Sequence, residues 1–318
     1  AVRRPRPAGA RMSTQVTEKG PSAVSSRRIA WIRRRTAAAA TWQEFRRHRS
    51  GLVGLGILGF FGLVAVLAPL LADPDGLLVT QATGEDLAPP SAEYPLGTDD
   101  NGRSVLSLLI HGTRISLFVG LLATLISMTL GTFVGIASGH FRGWTAAALY
   151  RVTEWFLVVP FLPLAIVLAT VLGRGLFVIA FVIGVTSWAG TALLIRAQTL
   201  SVEAEPFLER ARALGAGHWH LMSRHVLPNV MPMVFANTTL TVAIAILSET
   251  TLSFLGLGDP TNISWGSMLD AAFQAGAITT EAWWFILPPG ICVVVVVLSF
   301  TLIGRALEEI LNPRLRER

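Results

Sequence analysis

Few residues in this sequence could carry chemistry by their type and spacing. His218, His220 and His225 offer three imidazoles in one short segment, a pattern that could ligate zinc or nickel. Ser138 and His140 set a hydroxyl near a base, but residues two apart on a helix do not face each other, and no orienting acid accompanies them. No catalytic residue is therefore predicted in this chain.

The basic residues are almost entirely arginine. The chain carries 26 Lys and Arg against 20 Asp and Glu, a net charge of +6, and Lys19 is its single lysine. A Walker A loop places lysine directly after glycine, whereas Lys19 follows Glu18. The sequence therefore lacks the lysine with which an ATPase usually cradles phosphate. Cys292 is the single cysteine, which excludes an intrachain disulfide and a multi-cysteine metal site.

The sequence contains long stretches without a charged residue, and the helices that they form must position the histidines and the other polar side chains. The chain is 52% hydrophobic and 14% charged, whereas soluble domains average about 25% charged residues. A helix needs about 20 apolar residues to cross a hydrocarbon core of about 30 Å. Six stretches satisfy this requirement: 52–72, 115–139, 155–173, 175–195, 230–247 and 283–303. We predict an all-α polytopic membrane protein with six transmembrane helices, the third and fourth joined by a tight hairpin at 173–175.

The distribution of arginine predicts the orientation. Of the 26 cations, 23 lie on the side that holds both termini and three lie on the other, at Arg103, Arg114 and Arg174. Cationic residues are retained on the cytoplasmic side, so both termini are predicted to be cytoplasmic. The excess of basic residues is then explained by the membrane topology, so no nucleic-acid partner is predicted from it. The three histidines fall on the cytoplasmic side, which favours surface or docking residues over a metal site, so no metal is predicted.

These boundaries divide the chain into five predicted parts. Residues 1–50 form a basic cytoplasmic tail, disordered at first and amphipathic from about residue 29, with Met12 as an alternative start. The first transmembrane helix is 51–72, an extracytoplasmic loop is 73–113, and a core domain of five helices is 114–312. That core includes a cytoplasmic loop at 196–229, and a cytoplasmic tail at 313–318 follows.

Two acids and two prolines within the spans are candidates for a translocation path. Glu154 and Glu249 lie at or within spans, where a central carboxylate costs about 2.5–3.5 kcal/mol. Pro160 and Pro163 each remove a backbone donor, and the freed carbonyls must be buried in protein or face water. Each pair has an alternative to a role in the translocation path. The acids could lie near the membrane interface, and the prolines could lie at helix ends.

Small residues recur at every fourth position of the second span. The stripe consists of Ala123, Ser127, Gly131, Gly135 and Gly139. Such stripes let helix backbones approach closely in lipid, so helix packing is predicted rather than a pore lining.

The loop 196–229 contains a short amphipathic helix. Pro206 is suited to the first helical position and Gly215 to the position just past the end. Phe207, Leu208, Ala211 and Leu214 form an apolar stripe between them. Because a helix this short is unstable alone, it must dock on its own bundle or on a partner.

This loop resembles a known signature. Glu-Arg-Ala-Arg-Ala-Leu-Gly at 209–215, followed by Arg-His-Val-Leu-Pro-Asn at 224–229, is similar to the EAA loop of ABC-importer permeases, with Arg210 where alanine is usual. By this resemblance the loop forms the coupling helix that contacts an ATP-binding subunit. The residues concerned are Pro206, Phe207, Leu208, Glu209, Arg210, Ala211, Arg212, Ala213, Leu214 and Gly215.

Other motifs resemble the C-type subunits of the dipeptide, oligopeptide and nickel branch. They are Pro-Leu-Gly-Thr-Asp-Asp-Asn-Gly-Arg at 95–103, Ser-Phe-Leu-Gly-Leu-Gly at 253–258, Ser-Trp-Gly at 264–266 and Asn-Pro-Arg-Leu at 312–315. Gly304-Arg305 departs from the more usual Gly-Asp. The resemblance implies a contact with an extracytoplasmic substrate-binding protein at Asp99, Asp100, Arg103 and Trp265.

The resemblance implies a type I ABC-importer permease in a bacterial inner (plasma) membrane. Its expected partners are a homologous B-type permease forming a heterodimer, two ATP-binding domains on one chain or two, a substrate-binding protein and the lipid bilayer. ATP and Mg would bind to the partners, and no cofactor to this chain. The expected cargo is di- and oligopeptides, with nickel chelates or haem-like compounds as the alternative. An ion-coupled secondary transporter using Glu154 and Glu249 is the alternative of another class.

Overall fold

The computed structural model describes Thr36, Ala39 and residues 41–311. The chain divides after Gln43 into two units, and the first contributes only a few helical residues to this description. The predictions for 1–35 and 312–318 lie outside the described residues. The described helices are α1 Arg49–Leu71, α2 Val105–His140, α3 Trp144–Val158, α4 Phe161–Leu172, α5 Leu176–Glu203, α6 Pro206–Ala213, α7 His218–Leu221, α8 Leu227–Leu252, α9 Trp265–Gln274 and α10 Trp283–Leu311.

Among the described residues, five continuous helices are long and apolar enough to cross a membrane. They are α1, α2, α5, α10 and the helix His218–Leu257, in which π-helical turns at Met222–Val226 and Ser253–Leu257 flank α8. The predicted all-α membrane architecture is confirmed. The predicted third span is not one straight helix, because α3 and α4 are bent by 94° at Val159–Pro160. Pro160 precedes α4 with an extended backbone, which is the conformation that ends one helix and starts another.

The small-residue stripe of α2 brings α2 and α5 together along their length. A Cβ at Gly131 would lie 2.7 Å from the Thr191 side chain, and one at Gly139 would lie 2.7 Å from that of Thr199. Any larger residue would push the two helices apart, so the predicted packing role is confirmed. On the other side of the bundle, α10 packs against α8 and α1.

The connection between α1 and α2 is shorter than predicted. It comprises residues 72–104, because α2 begins at Val105 rather than near residue 114. Ser104 caps this helix, and its Oγ accepts a hydrogen bond from the Ser107 amide at 3.4 Å. Arg114 therefore lies inside the helix, in its third turn. Two short 3₁₀ helices, Pro74–Leu77 and Val79–Gln81, begin the connection.

Candidate functional site

The helix predicted from the loop sequence is α6. Pro206 is its first residue, and the Leu214, Gly215 and Ala216 amides bond back to its last carbonyls. Gly215 has a φ of +86°, a left-handed conformation that glycine adopts without strain. The helix therefore ends at Ala213, and Leu214 and Gly215 form its C-terminal cap.

The apolar stripe of α6 divides between two surfaces. Leu208 is fully buried in a cluster that includes Val202, Leu221 and Val226. Phe207 remains 39% exposed and Leu214 89% exposed. The helix is thus docked on its own bundle through Leu208, with Ala211 packed partly buried against the same cluster, and it leaves Phe207 and Leu214 exposed.

The exposed side of α6 borders a groove of about 620 Å³. Arg210 and Leu214 of the helix end line it together with Gly217, His220 and His225 of the following segment. Glu209 is exposed beside this groove and forms no ion pair with any described residue. As an acid in the first turn, Glu209 interacts favourably with the helix dipole.

Four titratable or charged side chains tie the back of α6 to the bundle. Nδ1 of His140, the last residue of α2, donates to Oε1 of Glu203, the last residue of α5, at 2.5 Å. The other oxygen of Glu203 accepts from the Arg212 guanidinium on α6. Nε2 of His140 lies 3.0 Å from Nδ1 of His218, the first residue of α7. We call His140, Glu203, Arg212 and His218 the anchor cluster, since the ends of three helices meet α6 there.

Within the anchor cluster, the His140–Glu203 pair is nearly closed to solvent, whereas Arg212 is partly exposed and His218 is exposed. The His140 side chain is buried, and that of Glu203 is 11% exposed. Buried charges are stable only when they are paired and hydrogen-bonded, and both oxygens of Glu203 meet that condition. The sequence did not predict the pairing of His140 with Glu203, which lie 63 positions apart. One feature of the sequence could have indicated this pair: each is a titratable residue at the C-terminal end of a long apolar helix.

The three histidines of this loop do not converge. His218 contacts His140 of the anchor cluster, whereas the rings of His220 and His225 pack together with centroids 5.7 Å apart. His225 also packs against Phe207 at 6.1 Å. Their positions favour docking side chains around the α6 groove.

The predicted path residues lie in two separate places. Glu154 accepts a hydrogen bond from Arg151, one turn earlier on α3, at 2.8 Å. Pro160 and Pro163 flank the start of α4, where they produce the bend between α3 and α4. The partner of Glu154, which the sequence left unnamed, is thus a neighbouring arginine on the exposed surface of the same helix.

Glu249 is fully buried in the last turn of α8. Its carboxylate accepts hydrogen bonds from Ser116 Oγ at 3.1 Å and Ser253 Oγ at 2.8 Å. Ser116 Oγ in turn accepts from the backbone amide of Trp265, the first residue of α9, at 3.1 Å. Glu249 therefore joins α2, α8 and the N-terminus of α9, where the helix dipole favours a negative charge. The structure places it in a helix junction rather than beside any described cavity.

The motif 95–103 folds on itself in the loop before α2. Asp99 is fully buried, and its carboxylate accepts from the Arg103 amide at 2.8 Å and from Arg103 Nε at 2.7 Å. Trp265 is also fully buried. The structure places Asp99 and Trp265 in the interior rather than on the surface that was predicted for them. Asp100 stays partly exposed, and burial together with the Asp99 carboxylate raises its pKa above the usual range.

An acid that sequence reasoning missed joins the loop before α9 to α5. Asp259 Oδ2 accepts from the Leu176 amide, the first of α5, at 3.0 Å. Burial alone would raise the pKa of Asp259, but hydrogen bonds from Thr261, Asn262 and Leu176 together hold that pKa below its usual range. Asp259 thus supplies the cap that Gly175 cannot.

Two family models match separate parts of the chain. Residues 131–317 match the family model described as "Binding-protein-dependent transport system inner membrane component". Residues 37–90 match the "N-terminal TM domain of oligopeptide transport permease C".

Three relatives are similar over most of their length. The dipeptide transport system permease protein DppC of Bacillus subtilis (strain 168) is 33% identical over 86% of this chain and 85% of its own length. The oligopeptide transport system permease protein OppC of the same organism is 34% identical over 86% of this chain and 88% of its own length. DppC of Haemophilus influenzae is 34% identical over 87% of this chain and 94% of its own length. With the membrane-crossing helices and the docked α6, these matches establish that the chain belongs to the family of binding-protein-dependent transport system inner membrane components, the type I ABC-importer permeases, in their DppC and OppC branch.

Proposed function

We propose that this chain is the C-type permease subunit of an ATP-driven importer for short peptides in a bacterial inner membrane. The names of its relatives, which are dipeptide and oligopeptide permeases, support peptide cargo over nickel chelates or haem-like compounds. The arginine distribution supports an orientation in which both termini and α6 face the cytoplasm.

The observation that carries this proposal is the division of the α6 stripe. Leu208 holds the helix on its own bundle, while Phe207 and Leu214 lie exposed beside a groove of about 620 Å³. Uncovered apolar side chains next to unpaired charges are typical of a protein interface. In our proposal an ATP-binding subunit covers this surface, and ATP and Mg bind there rather than to this chain.

The anchor cluster connects α6 to the membrane-crossing helices. A displacement of α6 would pull on Glu203 through Arg212, and on His140 through Glu203. Those two residues end α5 and α2, the helices that pack closely through the small-residue stripe. Closure of the ATP-binding domains would thereby move the helices beside which the cargo passes, which is alternating access.

The remaining partners are assigned by position. A B-type permease would complete the translocation path as a heterodimer with this chain. A substrate-binding protein would dock at the opposite end from α6, where Asp100 is partly exposed. The Asp99–Arg103 pair and Trp265 lie below that surface and would hold its backbone in place.

Reconstitution tests this proposal. The four kinds of subunit are placed in proteoliposomes, and uptake of a radiolabelled dipeptide is followed with ATP, without ATP, and with a proton ionophore. We expect uptake that requires ATP and the ATP-binding subunits and that survives the ionophore. Uptake by the permeases alone, lost when the proton gradient collapses, would instead establish an ion-coupled secondary transporter. Nickel chelates in place of the dipeptide test the alternative cargo.

A further inference from the structure

A small polar cavity lies between α2, α5 and α8, apart from the residues discussed so far. It has a volume of about 160 Å³. Its polar lining, which we call the polar notch, consists of Ser127 of α2, Ser187, Gly190 and Thr191 of α5, and Asn237 and Thr241 of α8. Ser127, Thr191 and Asn237 all lie well inside their helices, which places the notch near the middle of the membrane-crossing bundle.

Two hydrogen-bonding groups in the notch have no protein partner among the described residues. Ser127 is 1% exposed, and its Oγ forms no hydrogen bond. The amide nitrogen of Asn237 donates to Thr191 Oγ1 at 3.1 Å, but no described donor reaches the amide oxygen. Leaving the buried Ser127 hydroxyl unsatisfied costs about 1–3 kcal/mol, whereas Asn237 is only partly buried. An occupant that bonds to both groups would remove that cost.

The notch is open on one side. A Cβ at Gly190 would meet no atom within 4 Å, and Ile244 at the opposite rim is 60% exposed. Hydrocarbon cannot satisfy a hydroxyl or an amide oxygen, so this opening does not suit a lipid-facing surface. It suits a water-filled path along the bundle.

We infer that the polar notch is a contact site for the backbone of the translocated peptide. A peptide group has one N–H donor and one C=O acceptor. The Asn237 oxygen can accept that N–H, and the Ser127 hydroxyl can donate to that C=O. The notch contains no charged residue, so it recognises the uncharged peptide unit and is indifferent to the termini and side chains. This inference rests on the proposed function, since it specifies how this chain meets its cargo.

Two matched substitutions test the contact. Ser127→Ala removes a hydroxyl that bonds to nothing in the protein, so folding is unaffected and an effect on transport must come from the occupant. Thr199→Val is the control, because Thr199 Oγ1 is also buried without a partner and lies outside the notch. The loss of one hydrogen bond predicts a rise in KM for dipeptide uptake of about threefold to tenfold in Ser127→Ala, and none in Thr199→Val. Equal KM values in both variants and the wild type would show that the notch holds water only.

Thiol labelling tests whether the notch is reached from water. In a Cys292→Ala background, which removes the single cysteine, Gly190→Cys lies at the rim and Phe181→Cys lies on the opposite face of α5, 49% exposed. A charged methanethiosulfonate should modify Gly190→Cys about tenfold faster or more than Phe181→Cys, since hydrocarbon excludes the reagent. Dipeptide with ATP should slow that reaction. Equal rates, or no effect of dipeptide, would overturn the inference. The wild-type complex is assayed in parallel, because absence of dipeptide uptake there contradicts the proposed function instead.

Discussion

His140 and Glu203 end two different membrane helices and meet each other at 2.5 Å. Nδ1 of His140 donates to a carboxylate whose other oxygen holds Arg212 on α6. Because both side chains of this pair are nearly closed to solvent, the hydrogen bond between them is stronger than that of an exposed pair. The short helix that would meet an ATP-binding subunit is thus fixed to the two helices that pack most extensively in the bundle.

Neutralising Glu203 should weaken the coupling of ATP hydrolysis to transport. Glu203→Gln keeps the size of the side chain but removes the charge that balances Arg212, and a hydrogen bond to a charged group contributes about 1.5–3 kcal/mol. We expect peptide transported per ATP to fall about tenfold in proteoliposomes, while the complex still assembles. Glu308→Gln, an exposed carboxylate on α10, is the charge-matched control and should behave like the wild type. An unchanged ratio in Glu203→Gln would exclude a coupling role for the anchor cluster.

Proline at the end of α6 should separate hydrolysis from transport. Gly215 has a φ of +86°, whereas proline fixes φ near −65°, so Gly215→Pro displaces the segment that lines the groove. Asparagine tolerates the left-handed conformation, so Gly215→Asn is the matched control. We expect uptake to be lost in Gly215→Pro, with ATP hydrolysis retained, and to persist in Gly215→Asn.

Glu209→Ala should have a similar but smaller effect than Gly215→Pro. The exposed carboxylate has no ion-pair partner among the described residues, so its removal leaves the fold of this chain intact and removes one contact available to a partner. Peptide transported per ATP should fall, and membrane insertion should not change. Normal ATP-driven uptake in both Glu209→Ala and Gly215→Pro would refute the coupling role of α6.

Two leucines of the same stripe should have different roles. Leu208 is fully buried and Leu214 is 89% exposed. Leu208→Ala should lower the free energy of unfolding by about 2–5 kcal/mol, measured as thermal stability of the purified chain. Leu214→Asp should leave that stability unchanged and abolish co-purification with the ATP-binding subunits. Destabilisation by Leu214→Asp would mean that this residue is covered by its own chain.

Two loop acids should give opposite dependences of stability on pH. The pKa of Asp259 is lowered in the fold from 3.8, so its contribution is present above that value and is lost as pH falls through the folded pKa. The pKa of Asp100 is raised from 3.8, so its contribution is present below that value and is lost as pH rises through the folded pKa. Thermal melts from pH 3 to 6 (about the titration range of carboxylates) should show that Asp259→Asn and Asp100→Asn remove these opposite slopes. The same sign of change in both variants would contradict the assignments.

Apolar length predicted the membrane helices well, because the requirement to cross a hydrocarbon core is local in sequence. The 94° bend at Pro160 was not predicted, since a proline within a span can kink a helix or begin a new one. The start of α6 was predicted from Pro206 and its end from Gly215, because both residue types restrict the backbone conformation directly. Local conformation and helix existence were therefore accessible from the sequence.

Contacts between distant residues were not accessible in the same way. The hydrogen bond between Glu249 and Ser116, which lies 133 positions away, was not predicted, and together these residues secure the start of α9. The partners of His140 and the two orphan groups of the polar notch likewise come from helices that only the packing of the bundle brings together. A single sequence contains no periodicity that reports such pairs.

The most direct test of the account is to ask what lies against Leu214 in the assembled importer. A photoreactive amino acid is placed at position 214 in the purified complex and, as a control, at Val66, which is 77% exposed on the apolar helix α1. If α6 is the coupling helix, position 214 cross-links to an ATP-binding subunit and position 66 does not. Cross-linking of position 214 to the other permease or to lipid, with none to an ATP-binding subunit, would contradict the assignment of α6 as the coupling helix.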